Sequence, residues 1–397
     1  MANIIRAKAF PKINNEDILE FQVPQSKFQM LLSEVYLHFT VRLDQSQVEG
    51  GEIVPQNWFG AKQFSSVEVK LNDESVSRRS MHHEYALSAY LNTLVNYPGT
   101  FMKTSCRSLG VFDDLNMSTK RIAELKTKKI WTKVEAVRKS VTGDYVYEII
   151  MPIDNTLFYS DDLLPSGQKW SLSFERAPST YSVLKTTDKT DVSKLSKTFD
   201  LEDVFLMVPY INDEKSKLLE SNWVHKPLSI GYDKYNLQRF SIPEGSTSVR
   251  LPNIINGKLP KIMFFGLMKE SAYLGDISTS STIFQREDLI ELDLLYNGVS
   301  VSGMPMRMDK DCVVLPYAKF LDNMGHFLNK TTASTMKLQT FNDHNFLHCQ
   351  QFSKDTVGSL SFELQFQLNV PKGRLLIVWS IFDVMMEIDQ YGNFTTE

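Results

Sequence analysis

The chain has 397 residues, 42% of them hydrophobic and 23% charged, with a net charge of -4. These are ordinary globular values, the length suits two or three domains, and the acidic balance supplies no global field for nucleic acid or anionic lipid. Apolar runs such as Ile262 to Met268 fall short of the roughly 18–20 residues a bilayer span needs, and the three widely spaced cysteines (Cys106, Cys312 and Cys349) read as reduced thiols, not a disulfide framework.

Residues 1–15 carry Arg6, Lys8 and Lys12 with few apolar anchors and no signal-peptide pattern. They read as an amino-terminal arm ordered by a neighbour. From there period-two alternation dominates. Strands are predicted over 18–23, 34–43 and 66–71; in the second of these Val35, Leu37, Phe39, Val41 and Leu43 share a face. Residues 83–96 place Leu87, Leu91 and Leu94 at helical spacing. The stretch from Lys120 to Lys139 is basic, with Trp131 interleaved. It reads as a solvated loop and strand face, with phosphate contact the competing reading. Further strands are expected over 145–152, 168–175 and 200–208, with an exposed loop at 185–198. The charged segment 213–225 is the natural linker. Beyond it come strands over 236–242, 262–268 and 290–296, a Ser/Thr-rich loop at 276–282 and a short helix over 318–327. Leu360 to Leu368 alternates with polar partners, and the last strand runs over 374–388.

One stretch occurs twice. Val67 to Ser77 (VEVKLNDESVS) is echoed by Leu292 to Ser302 (LDLLYNGVSVS) at a constant offset of 225 residues. In both, an alternating strand runs into an Asn-led turn and a second strand, and both are followed by a Tyr-Ala helical opening, Tyr85-Ala86 and Tyr317-Ala318. A period near half the chain is too long for a solenoid. It predicts two similar all-β sandwiches in tandem, over 16–212 and 226–397.

Residues that could carry chemistry do not assemble into a pattern. His344 and His348, four apart with Cys349 adjacent, would share one helix face, yet the Glu of a zincin is missing and the Asn/Asp flanks disfavour a helix. Loop histidines beside a strand cysteine is the better reading. His82 and His83 before Glu84 are adjacent, so on a strand they would point to opposite faces and could not make a cupin metal site. The triplets at Asn116, Asn329 and Asn393 match a glycosylation acceptor but read as chance. Neither catalysis, cofactor nor metal is expected.

The second half, from Phe240-Ser241-Ile242-Pro243-Glu244-Gly245 through Asn256 to Ile262, Gly266-Leu267-Met268 and Ala272 to Gly275, to the strand pair Leu360 to Leu364 and Leu376 to Asp389, resembles the double jelly-roll major capsid proteins of Polinton/Maverick elements, adintoviruses and virophages. In the first half Phe64 to Asn72, Tyr90 to Tyr97 and Val208-Pro209-Tyr210-Ile211 carry the same resemblance. The family's Asn-Gly turn is Asn72-Asp73 here, which puts a tight type I′ hairpin at that place in doubt. The resemblance implies two tandem jelly rolls with a few short helices in the connections. It further implies a homotrimer forming pseudo-hexagonal capsomers and an icosahedral shell around double-stranded DNA, with a single jelly-roll penton protein as partner, weak DNA contact and no membrane insertion. A jelly-roll carbohydrate- or protein-binding module is the alternative; a cupin-like enzyme would need inward ligands that the sequence lacks.

Overall fold

The computed structural model describes residues 4–77, 83–97, 108–111, 137–139, 145–160, 162–211, 227–308, 313–325, 336–389, 391 and 393–396. Two compact units divide the chain. The first comprises Met1–Tyr90, Met102–Lys234 and Val384–Glu397; the second comprises Leu91–Phe101 and Tyr235–Asp383. The linker expected at 213–225 lies outside the described residues.

The principal strands fall into two sets of eight. The first set is β1 (Ile4–Ala9), β2 (Ile18–Val23), β3 (Tyr36–Leu43), β4 (Phe64–Leu71), β5 (Glu74–Ser77), β6 (Tyr145–Pro152), β7 (Trp170–Arg176) and β8 (Leu201–Ile211). The second is β9 (Leu228–Ile242), β10 (Ser248–Lys258), β11 (Ile262–Lys269), β12 (Leu289–Tyr296), β13 (Val299–Ser300), β14 (Leu347–Gln351), β15 (Val357–Phe366) and β16 (Arg374–Ile388). In the first set one sheet runs β1-β8-β3-β6 and the other β2-β7-β4-β5. In the second set the orders are β9-β16-β11-β14 and β10-β15-β12-β13. Adding eight to each label of the first set gives the second. This is the jelly-roll order, all antiparallel and written twice. Helix α1 (Glu84–Asn96) follows β5 and helix α2 (Val314–Asn323) follows β13, so both Tyr-Ala openings enter the same connection of their own sandwich.

Burial follows the alternation. Along β3, Leu37, Phe39, Val41 and Leu43 are buried while Arg42 is exposed. Along β15, Leu360, Phe362, Leu364 and Phe366 are buried while Glu363 and Gln365 are exposed. Leu368 lies beyond the strand end and is exposed. Two neighbouring strands depart from the alternation: every residue from Leu375 to Ile381 on β16 and from Met263 to Met268 on β11 is buried. Their sheet is covered on both faces. Phe265 packs against Phe362 of the opposing sheet at 4.6 Å between ring centres, while its neighbour Phe264 turns the other way to meet Phe320 of α2 at 6.1 Å and Trp379 at 5.3 Å.

Three expectations need correction. The segment read as an arm is largely strand β1, paired residue for residue with β8 from Ile4↔Ile211 to Ala9↔Leu206. Its backbone supplies the pairing while its side chains bury little, and this removed the apolar alternation that would have marked it. The helix expected over 318–327 runs over Val314–Asn323 instead. Pro316 sits in its first turn, where a missing N–H costs nothing. The Asn72-Asp73 turn is as tight as its counterpart: Leu71 pairs with Glu74, and Asn72 and Asp73 take φ of 49° and 69°. Asn297 and Gly298, between the paired Tyr296 and Val299, take 49° and 82°. Asn and Asp enter the left-handed region more readily than other residues bearing a Cβ, so Asp73 replaces the expected Gly.

Candidate functional site

Each candidate residue is positioned by the element that carries it. His348 lies on β14 opposite Phe265 of β11, stacked on it at 5.4 Å, in the core between the sheets. Burial, with Lys319 adding to it, pushes its pKa down to about 4, so it is a neutral core imidazole and not a loop histidine. Its neighbour Cys349 opposes Phe264 and therefore points to the other face; burial pushes its thiol pKa up. His344 follows the short helix Leu338–Asp343, so His344 and His348 share no helix face. His83 is buried ahead of α1 with φ of 66°, its ring stacked on Tyr181 at 4.1 Å. His82 lies outside the described residues. Among the described residues, no group of three or more His, Cys, Asp or Glu could hold a metal ion.

The charged candidates are spent locally. Arg6 meets Glu34 at 2.7 Å, and the Lys8 ammonium lies 4.0 Å from the centre of the Phe205 ring. Of the basic stretch 120–139, Val137–Lys139 is a strand paired with β6; the rest lies outside the described residues. Asn393 donates its side-chain amide to Asp389 at 2.9 Å within a carboxy-terminal hairpin. A cleft lined by Arg42, Asp44, Asp200 and Glu202 gathers carboxylates. Asp44 there already accepts from Ser46 and Gln47, and Arg42 lies 3.4 Å from Glu202.

The residues that recur between the halves are structural, and they sit at the duplicated hairpin. Asn72 donates its backbone N–H to Lys169 O at 2.7 Å, and its Oδ1 accepts from Lys169 N at 3.0 Å. Asn297 does the same with Ser359, at 2.9 Å in both directions. Each asparagine clamps its turn to the strand next to it, Lys169 preceding β7 and Ser359 lying on β15. A second Cβ has no room beside the Asn297 clamp: one built on Gly358 would lie 2.3 Å from the Tyr296 ring and 2.9 Å from Asn297 Oδ1. Elsewhere in the second unit Arg374 Nε meets Glu287 Oε1 at 2.8 Å, both side chains nearly buried. The repeated Asn was legible in the sequence; its strand-to-strand partners, 97 and 62 residues away, were not.

No protein-family model matches the chain. An uncharacterized protein of Caenorhabditis elegans is 23% identical over 218 residues, 51% of this chain and 50% of that protein. The chain thus spans about half the length of that curated relative. Among solved structures, PBCV-1 VP54, fitted into a reconstruction of the virophage Sputnik, superposes with a TM-score of 0.60 at 8% identity, covering 100% of this chain and 97% of that one. The mavirus major capsid protein gives 0.58 at 10% identity, covering 99% and 90%. The Faustovirus major capsid protein gives 0.56 at 9% identity, covering 97% and 90%. Each likeness extends over nearly the whole chain, through both sets of eight strands. At these identities it concerns architecture: the chain has the double jelly-roll fold that these viral major capsid proteins share.

Proposed function

We propose that the protein is a major capsid protein, a structural subunit with no catalytic role. The observation that carries this reading is the duplication itself: one jelly-roll order repeated along a single chain, with the whole length alike to viral major capsid proteins. The logic is geometric. Two similar sandwiches per chain, times three chains, give six similar lobes, and a pseudo-hexagonal tile of that kind covers a closed surface using one gene product. On this reading residues 16–212, with strand β1 (Ile4–Ala9) completing their sheet, and 226–397 are the two lobes, joined by 213–225. The chain forms a homotrimer, and the trimers make an icosahedral shell around double-stranded DNA in the virion, its five-fold positions closed by a single jelly-roll penton protein. A carbohydrate- or protein-binding module would share the β content but gives no reason for the duplication.

Negative-stain imaging of concentrated full-length protein tests the proposal. It predicts hexagonal outlines with three-fold symmetry and, at high concentration, sheets or closed shells of them. Uniform two-lobed single molecules at every concentration would contradict it.

A further inference from the structure

Lys62 is anomalous. It lies in the 3-10 turn Ala61–Gln63, within the unbroken buried run from Ile53 to Val67 that leads into β4. Only 1% of it is exposed. Among the described residues, its ammonium nitrogen has one hydrogen-bond acceptor, the neutral carboxamide oxygen of Gln56 at 2.6 Å, and it lies 5.9 Å from the centre of the Tyr181 ring. No carboxylate is paired with it there. A buried ammonium lacking a counter-charge is among the costliest groups a fold can hold. The contact is also central to its surroundings. Gln56 donates its side chain to Val183 O at 3.0 Å and its backbone N–H to Ser182 O at 2.8 Å, and Val183–Lys185 pairs with Ile53–Pro55. Lys62, Gln56 and this two-stranded ribbon form one connected chain.

We propose that Lys62 is a proton-operated latch in the first unit, closed while its amine is neutral and released when a proton makes burial untenable, freeing the segment 53–67 from its partner strand Val183–Lys185. Burial holds its amine well below the usual lysine range, and the sign follows from linkage. The unfolded chain binds the proton near pH 10.4 and the folded chain at a lower pH. Between those values the unfolded state holds the extra proton, so stability falls as pH falls and levels off below the folded value. Two titratable side chains stand near this contact, the Tyr181 phenol on the ring 5.9 Å from the amine and His83 stacked on that ring at 4.1 Å, and His83 must be controlled for. The latch is a property of the single chain and does not depend on shell assembly, so its failure and that of the capsid reading are separable.

The test is hydrogen exchange over residues 53–67 across a pH series, corrected for intrinsic exchange rates, on full-length wild type, Lys62→Met, Lys62→Gln and His83→Gln. Within the titration window the wild-type opening constant should rise about tenfold per unit fall in pH. His83→Gln should keep that slope, while Lys62→Met and Lys62→Gln should flatten it, with Lys62→Met the more protected at neutral pH. Two results would overturn the proposal: parallel pH profiles for wild type and both Lys62 variants, or a slope abolished by His83→Gln alone.

Discussion

Replacing the two hairpin asparagines by alanine gives a quantitative test of the duplication, because the chain contains its own replicate. Asn72→Ala removes the Oδ1 acceptor from Lys169 N, a part-buried bond of 3.0 Å. A net hydrogen bond of this kind contributes about 1 kcal/mol. The change also places an alanine at φ of 49°, where a residue bearing a Cβ and lacking a short polar side chain loses roughly another 1 kcal/mol. The expected loss is about 2 kcal/mol for Asn72→Ala, which also gives up a side-chain bond to Gln168, and somewhat less for Asn297→Ala, where the bond to Ser359 at 2.9 Å is exposed and φ is again 49°. Glycine keeps the backbone freedom and loses the bond; aspartate keeps an acceptor and much of the left-handed tolerance. Each site should therefore rank Asp, Gly, Ala from least to most damaging. The assay is denaturant unfolding followed by exchange protection of the β4-β7 and β12-β15 ladders separately, since a chain with two compact units need not unfold in one step. A loss at one hairpin and none at the other, or glycine variants as damaged as alanine ones, would refute the claim that the two turns work alike.

Other outcomes follow from the same geometry. Deleting residues 1–9 should expose the edge of β8, so amide protection at 206–211 should fall; unchanged protection there would mean that Ile4–Ala9 is an arm after all. Asp73→Gly should leave stability unchanged or raise it, since glycine relieves φ of 69° and the lost Lys169–Asp73 pair is a surface contact worth under about 1 kcal/mol. A loss above about 1 kcal/mol would contradict that. Arg374→Met strands Glu287 in a nearly buried site and should cost about 3–5 kcal/mol, most of it recovered when Glu287→Leu is added. Equal losses for the single and double variants in chemical denaturation would rule out the pair as the cause.

The sequence disclosed most where a strand has one wet face. β2 and β6 fall on the predicted bounds to within a residue, and the repeat located both hairpins and both following helices. It disclosed least where tertiary packing overrides pattern. The segment from Gln56 to Gln63 carries Gln, Asn and Lys, yet it is wholly buried: Gln56 reaches Val183 O across the fold, while Lys62 and Gln63 find their partners within the segment, at Gln56 and Phe59. β1 shows the converse. Its alternating Arg6 and Lys8 suit an edge strand and look like an arm when the partner, some 200 residues away, is out of view. His348 was misplaced because the Asn/Asp-rich residues before it read as a loop, whereas the buried strand already begins at Leu347. As for the candidate site, Lys62 carried a signal only in its setting: a lone cation inside the aromatic run Trp58-Phe59-Gly60-Ala61-Lys62-Gln63-Phe64.

The capsid reading turns on the number of chains in the assembly unit, and light scattering on a size-exclusion column measures that number directly. The account predicts a discrete species of full-length protein at three times the 45.6 kDa chain mass, stable to dilution. A monomer or a dimer holding the same mass across concentration and ionic strength would contradict the six-lobed tile, and with it the proposed shell.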